Sequence, residues 1–161
     1  MRRNFRAAAF PLALVAALVL ALASGSGPVS AKPAKGAGMV TLPDGLQYKD
    51  LKIGKGRSPK PGLIVTIKYV GSYPDGTVFD SSAQHGGSFS FVIGQDLVMK
   101  GWDEGIMSMK AGGKRKLIIP PSLAYGSKGQ GTVPPNTTLT FVIQLVKVAK
   151  AGGKIPSSSV Y

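Results

Sequence analysis

The stretch that most constrains the fold of this chain runs from Val98 to Ile106 and contains its only tryptophan. Trp102 and Ile106 are four residues apart, so on a helix their side chains share one face, and Met109 follows within a turn. Glycines in and around the stretch keep such a helix short. Strand-like segments flank it, so we predict a sheet wrapped around one short helix. Trp102 then either fills the core or forms the floor of a pocket, and composition alone favours the core.

The length of 161 residues, with 22 glycines, 12 prolines and 17% charged residues, fits one domain with tails. So many turn-forming residues favour short strands over long amphipathic helices, and the fold is therefore predicted to be mostly β. The chain contains no cysteine, which excludes disulfides, cysteine-ligated metal clusters and thiol catalysis. The single histidine, His85, has no companion histidine or carboxylate cluster, so we expect neither a metal site nor a cofactor.

The first 31 residues have the three-part layout of a secretory signal peptide. A basic start is followed by an apolar run and then by small residues, with cleavage expected after Ala23 or Ala31. A retained anchor is the alternative, although the run is short for a membrane span of about 20 residues. The early paired arginines resemble a twin-arginine export signal. We expect a flexible linker at 24–40, a folded domain at 41–149 and a disordered basic tail at 150–161.

The formal net charge of +13 can attract nucleic acid, anionic lipid or acidic proteins. The basic residues are scattered, however, apart from Lys114-Arg115-Lys116, and no nucleic-acid-binding motif surrounds them. We interpret the charge as a solubilising, loosely adhesive surface and expect no specific nucleic-acid partner. Contact with a membrane is expected only through an uncleaved N-terminal segment.

Alternating apolar residues mark several strands of the domain. The pattern is present at 63–69, at 114–119 and at 139–145. A first strand is expected at 46–53, after a turn at 41–45 that contains proline followed by Asp-Gly. Each alternating segment predicts a strand with one face on the core.

One acidic residue lies at an unusual place in this pattern. Tyr69 is on the buried face of its strand, and Asp80 directly follows Phe79 at the end of another strand-like segment, where a side chain should point inward. One interpretation is that the Asp80 carboxylate caps its own turn through Ser81 and Ser82. The other is that it lies at a functional site.

Conventional catalytic motifs are missing from the sequence. There is no Ser/His/Asp set in a nucleophile context, no phosphate-binding glycine loop before a helix and no helical paired-histidine motif. Instead, aromatic residues could line an apolar hollow with Asp80 at its edge, which suits a ligand with an apolar ring and a carbonyl. These residues are Tyr69, Phe79, Phe89, Trp102, Tyr125 and Phe141.

Six short segments share their residues and their order with a known family. They are Tyr69-Val70-Gly71, Asp75-Gly76-Thr77-Val78-Phe79-Asp80-Ser81-Ser82, Phe89-Ser90-Phe91, Gly101-Trp102-Asp103-Glu104-Gly105, Leu123-Ala124-Tyr125-Gly126 and Pro134-Pro135-Asn136-Thr137-Thr138-Leu139. From about Leu42 to Lys147, the chain resembles the FKBP-type peptidyl-prolyl cis/trans isomerases, the immunophilins that bind tacrolimus and rapamycin. The resemblance implies an α+β fold, in which an antiparallel β-sheet half-wraps one short α-helix.

The resemblance also implies which residues act. Tyr69, Asp80 and Tyr125 take catalytic positions: Tyr69 orients Asp80, while the Tyr125 hydroxyl and the Met99 backbone N–H hold substrate carbonyls. Trp102 becomes the floor beneath the prolyl ring. The other substrate-binding positions are Phe79, Phe89 and Phe141, which form the walls, and Val98.

The chain departs from the family pattern at three places. Met99 stands where isoleucine or valine is usual, which matters little for a backbone donor. His85 takes a position near Asp80 that is often basic, and its protonation could tune that edge. The overhanging loop at 127–135 is about one residue shorter, with Thr132 in place of an aliphatic residue.

The sequence therefore predicts a monomeric, cofactor-free peptidyl-prolyl isomerase that acts on proline-containing exported polypeptides and binds macrolides. A bacterial periplasm is the first expected location and a thylakoid lumen the second. Two alternatives remain: a non-catalytic polypeptide-binding module that uses the same pocket, and a basic adhesion protein for nucleic acid or membrane.

Overall fold

The computed structural model describes residues 38–150 and residue 152, and within them seven strands form one antiparallel sheet. The strand order is β1-β2-β6-β7-β3-β4. Strands β4 and β5 both pair with the outer edge of β3, β4 with residues 70–72 and β5 with residues 64–67. The predicted α+β class, an antiparallel sheet with one short α-helix, is confirmed. The strands are β1 (Val40–Thr41), β2 (Gln47–Lys52), β3 (Ile64–Ser72), β4 (Val78–Ser81), β5 (Phe89–Val92), β6 (Lys114–Ile119) and β7 (Leu139–Ala149), and the helix is α1 (Lys100–Met107).

The two longest strands, β3 and β7, form the middle of the sheet. They pair from Ile64 opposite Ala149 to Ser72 opposite Thr140, with one register shift. Alternate residues of each strand point to one face, and that face carries the core. The alternation predicted at 139–145 is confirmed, because its four odd-numbered residues are apolar and buried: Leu139, Phe141, Ile143 and Leu145.

Helix α1 packs closely against the inner face of β6 because two of its residues are glycines. A Cβ at Gly105 would lie 2.7 Å from two methyl carbons of Leu117, and a Cβ at Gly101 would clash with Ile119. Trp102 and Ile106 are buried on one face of the helix, as their spacing predicts. The helix ends at Met107, so Met109 is buried from the following turn instead.

The N-terminal part of the sheet differs from the prediction. The first strand was expected at 46–53 after a turn, but β1 precedes it and pairs with β2 through Val40 opposite Tyr48. The predicted turn joins these two strands, and a hydrogen bond from the Leu42 N–H to the Leu46 carbonyl closes it over 2.8 Å. A two-residue strand is too short to show an alternation in sequence.

The predicted basic cluster at 114–116 is divided between two faces of the sheet. Arg115 is 1% exposed and makes a two-pronged contact with Asp50 on β2, with Nε–Oδ1 and Nη2–Oδ2 distances of 2.7 and 3.0 Å. Its Nη1 donates to the Gly105 carbonyl and to the Ser108 hydroxyl, at 2.7 and 2.6 Å. Arg115 therefore links two strands to the end of the helix and contributes nothing to the basic surface.

The predicted signal peptide at 1–31, most of the linker at 24–40 and most of the tail at 150–161 lie outside the described residues. These assignments stay predictions. In the described part of the chain, no helix has the length and apolar character needed to cross a membrane.

A carboxyl pair between α1 and the turn before β2 predicts a pH dependence of stability. A hydrogen bond with Asp44 raises the pKa of Glu104 from 4.5 to about 7, and the same contact lowers the pKa of Asp44. The folded pair therefore keeps a proton that the unfolded chain has already lost, and the free energy of unfolding should fall as pH rises from about 4.5 to about 7.

Glu104→Gln should remove most of this fall, as measured by urea unfolding at pH 5 and pH 8. Asp75→Asn, in an exposed turn, is the control and should keep it. An identical pH dependence in the wild type and in Glu104→Gln would contradict the assignment.

Candidate functional site

A hollow of about 600 Å³ opens between α1, the inner face of the sheet and the loops that follow β4, β5 and β6. It brings together all nine residues that the sequence singled out, and their individual roles remain predictions. These residues are Tyr69, Phe79, Asp80, Phe89, Val98, Met99, Trp102, Tyr125 and Phe141.

Trp102 is at once part of the core and part of the hollow's wall. Its side chain is 5% exposed, and its ring packs edge-on against three aromatic neighbours. The ring centroids lie 4.9 Å from Tyr69, 5.2 Å from Phe141 and 6.1 Å from Phe89. The two alternatives left open for Trp102 therefore describe the same position. Among the described residues, its buried indole N–H finds no acceptor.

Asp80 is held at the rim of the hollow by contacts from both sides. The Tyr69 hydroxyl donates to Oδ2 over 2.8 Å, and the backbone N–H of Ser81 donates to Oδ1 over 2.8 Å. The Nε2 of His85 lies 2.8 Å from the same Oδ1. The turn-capping contact and the inward contact therefore coexist, so the carboxylate is fixed in orientation yet one-third exposed.

Two tyrosine hydroxyls in the hollow stay protonated well above neutral pH. Burial, followed by the hydrogen bond to Asp80, raises the pKa of Tyr69. Burial and the nearby Asp80 charge raise the pKa of Tyr125 as well. Both groups are therefore hydrogen-bond donors, and Tyr69 already uses its proton on Asp80.

Gly71 on β3 lets the rings of Phe79 and Phe141, which both line the hollow, pack against each other. A Cβ at this position would lie 2.6 Å from Cε1 of Phe141 and 2.9 Å from Cζ of Phe79, whose rings meet edge-on with centroids 5.7 Å apart. Only a residue without a side chain lets both rings close over β3. The third position of the Tyr-Val-Gly segment is thus required by packing.

Gly71→Ala should push these rings apart, destabilise the protein by about 1–3 kcal/mol and weaken peptide binding. Gly38→Ala is the control, because a Cβ there meets no atom within 4 Å. Thermal unfolding and peptide titration of the two variants check the prediction. Equal affinity in both variants would show that the ring positions do not matter.

The overhanging loop is tied to the sheet at its tip. The Tyr73 hydroxyl donates to the Thr132 carbonyl over 2.6 Å, and Gln130 and Val133 form a short β-bridge. The centroid of the Tyr73 ring lies 4.9 Å from that of Phe79, so Tyr73 contacts both the loop and the wall of the hollow. The substitution at Thr132 affects only a side chain, since its backbone makes the contact.

Sequence reasoning missed four residues that line the hollow: Asp96, Leu97, Ala124 and Gln130. Leu97 and Asp96 precede Val98, and Ala124 lies inside a recognised segment, so proximity in sequence could have indicated them. Gln130 had no such indication, because only the folded loop brings it to the rim.

An antiparallel sheet half-wraps one short helix, and between them lies a hollow lined by aromatic rings. The family model described as FKBP-type peptidyl-prolyl cis-trans isomerase matches residues 55–146. The chain belongs to this family.

Two relatives and one solved structure illustrate the similarity. FK506-binding protein 4 of Dictyostelium discoideum is 51% identical over 113 residues, which is 70% of this chain and 30% of the relative. Peptidyl-prolyl cis-trans isomerase Fkbp12 of Drosophila melanogaster is 46% identical over 106 residues, covering 65% and 98%. The crystal structure of FkpA from Escherichia coli matches with 44% identity and a TM-score of 0.67, covering 73% and 54%.

The chain spans less than a third of the Dictyostelium relative and about half of the Escherichia coli one. It covers nearly the whole of the Drosophila protein. The shared part is therefore the domain that contains the hollow.

Proposed function

We propose that this chain is a peptidyl-prolyl cis/trans isomerase that accelerates rotation about Xaa-Pro bonds in folding polypeptides. The observation that carries the proposal is the hollow itself, in which aromatic rings surround Trp102 and a fixed carboxylate and a tyrosine hydroxyl lie at the edge. The names of the relatives support the same activity.

The physical mechanism needs no nucleophile and no cofactor. A prolyl amide resists rotation by about 18–20 kcal/mol because resonance keeps it planar. Resonance also places negative charge on the carbonyl oxygen, where water stabilises it. In a poorly hydrated pocket that stabilisation is weaker, and a pocket shaped for the twisted amide binds the transition state better than either planar isomer. Each 1.4 kcal/mol or so of this preference is worth tenfold in rate.

The residues divide this work between floor, walls and edge. The indole of Trp102 supports the prolyl ring. Proline within a chain has no backbone N–H, so it enters the hollow without burying an unpaired donor. The Tyr125 hydroxyl and the Met99 backbone N–H hold substrate carbonyls. Asp80, which Tyr69 orients, faces the twisted amide. The walls are Phe79, Phe89, Phe141 and Val98.

We further propose that the substrates are exported polypeptides. The signal-like pattern of the first 31 residues supports export, to a periplasm or a thylakoid lumen. Slow Xaa-Pro isomerisation limits folding in such compartments as elsewhere. The protein is proposed to act as a monomer and to bind tacrolimus or rapamycin in the same hollow.

Cis-to-trans conversion of a short Xaa-Pro peptide, followed with and without saturating tacrolimus, tests the proposal. We expect a rate above the uncatalysed one that the macrolide suppresses. If the protein binds the peptide but the rate equals the uncatalysed rate, only the polypeptide-binding alternative stands. A folded protein that neither binds nor accelerates would contradict both.

A further inference from the structure

Five neighbouring lysines on the outer face of the sheet form a group that we call the lysine face, and Lys147, opposite Thr66 on β3, lies on the same side further along β7. Lys49 is directly opposite Lys116, and Lys52 is opposite Lys114, across β2 and β6. Lys68 on β3 joins them through Gln144 on β7, which pairs with both Lys68 and Lys114. Directly paired residues project to the same side of a sheet, so the five ammonium groups share one surface across four adjacent strands.

The lysine face is a like-charge surface with no internal compensation. Lysines placed directly opposite each other repel, which costs stability. All seven acidic residues of the chain lie elsewhere, and within the described residues the two ion pairs are His85 with Asp80 and Arg115 with Asp50. The acidic residues lie in turns (Asp44, Asp75), under the sheet (Asp50), at the hollow (Asp80, Asp96) and on α1 (Asp103, Glu104).

The composition of this surface indicates the kind of partner that fits it. Val70 and Val142, which pair with each other between β3 and β7, lie among the lysines, and Val70 is 44% exposed. The paired outward positions contain neither aromatic residues for base stacking nor arginine for bidentate phosphate recognition. Charges spread over an area, with aliphatic residues between them, match a planar anionic surface better than a single strand of nucleic acid.

The hollow lies on the opposite side of the same sheet. Successive residues of a strand point to opposite faces, so Lys68 points outward while Tyr69 points into the hollow. On β7, Val142 and Phe141 are divided in the same way. A partner bound to the lysine face would leave the hollow open.

We propose that the lysine face docks the protein on a bilayer that contains anionic phospholipid, with the hollow turned toward solvent. This goes beyond the isomerase proposal and does not depend on it. The main sequence prediction expects membrane contact only through an uncleaved N-terminal segment, and the alternative of a basic adhesion protein names no surface; the proposal assigns one. The lysines are point charges for lipid headgroups, and the valines between them add apolar contact at the headgroup level.

Cosedimentation of the full-length protein with vesicles tests the proposal. One set contains equal parts phosphatidylglycerol and phosphatidylcholine, and the other contains phosphatidylcholine alone. We expect binding to the anionic vesicles to exceed binding to the neutral ones, and added salt to weaken it. The N-terminal segment is the same in every variant, so a difference in binding between the test variant and its control comes from the substituted lysines.

The test variant replaces all five lysines of the face with glutamine, and its control replaces five exposed lysines elsewhere. Each lysine near an anionic surface is worth about fivefold in partitioning, so the test variant should lose more than about 100-fold. The melting temperature of the test variant should be no lower than that of the wild type, because the substitutions remove repulsion between paired lysines. Such a melting temperature shows that the variant is folded. The control lysines are Lys55, Lys60, Lys110, Lys128 and Lys150.

Equal losses in the test variant and the control would mean that net charge alone drives binding, and would overturn the proposal. So would wild-type binding to duplex DNA or to an acidic peptide that exceeds binding to anionic vesicles and is lost in the test variant. The isomerisation rate of the test variant on a short peptide should equal that of the wild type, which separates this result from any failure of the isomerase proposal.

Discussion

Replacing Trp102 with leucine is expected to lower kcat/KM for a short Xaa-Pro peptide by about 10²-fold while the protein still folds. Leucine fills part of the core position but presents no flat surface to the prolyl ring. It also removes the edge-on contacts with Tyr69, Phe89 and Phe141 that keep these rings in place. A loss of about 2.7 kcal/mol of transition-state preference corresponds to this change in rate.

The variant needs a control because Trp102 also belongs to the core. Leu145→Ala is suitable, since Leu145 is fully buried on β7 and does not line the hollow. Removing it should cost about 2–5 kcal/mol of stability and leave the activity per folded molecule unchanged. If the two variants lose activity only in proportion to their unfolded fraction, Trp102 has no role beyond packing.

The largest loss of stability is expected when Arg115 loses its partner. Asp50→Ala would leave a guanidinium that is 1% exposed without its carboxylate, and breaking such a pair costs about 3–5 kcal/mol. The Tyr48 ring, 4.1 Å from the guanidinium carbon, cannot replace the lost charge. Urea unfolding measures the change, with Asp75→Ala in an exposed turn as the control at about 1 kcal/mol or less.

Removing both charges should be much less harmful than removing one. The double variant Asp50→Leu, Arg115→Leu takes away the buried charge together with its partner, so we expect a cost well below that of Asp50→Ala. The helix end would still lose the bonds to Gly105 and Ser108. A double variant at least as unstable as Asp50→Ala would show that geometry, and not charge pairing, makes Arg115 necessary.

Local patterns predicted most of the sheet and the helix. The alternation at 114–119 matches β6 residue for residue, and it also contained the information that Arg115 shares the buried face with Leu117 and Ile119. The interpretation of 114–116 as a basic cluster ignored that alternation. Residues that are adjacent in sequence on a strand are on opposite faces, so a run of charges on a strand is not a surface patch.

The parts that could not be predicted depend on distant contacts. The lysine face needs the register of β2, β6, β7 and β3, which no local pattern contains. The contact of Gln130 with the hollow depends on how the loop at 127–135 folds back. That loop is held by the Tyr73 hydroxyl, which donates to the Thr132 carbonyl and is distant in sequence. Of the nine hollow-lining residues, the aromatic residues and Asp80 were indicated by their residue types, while the family resemblance added Val98 and Met99 and assigned each residue a role.

The proposed catalysis requires this hollow to favour a twisted prolyl amide over a planar one. Calorimetric titration with two matched prolyl compounds tests it most directly: one has a plain N-acyl amide, and the other an α-keto amide whose keto carbonyl stands out of the amide plane. We expect the α-keto compound to bind at least about tenfold more tightly to the wild type, and Trp102→Leu to reduce this preference. Equal affinities of the two compounds for the wild type would contradict it.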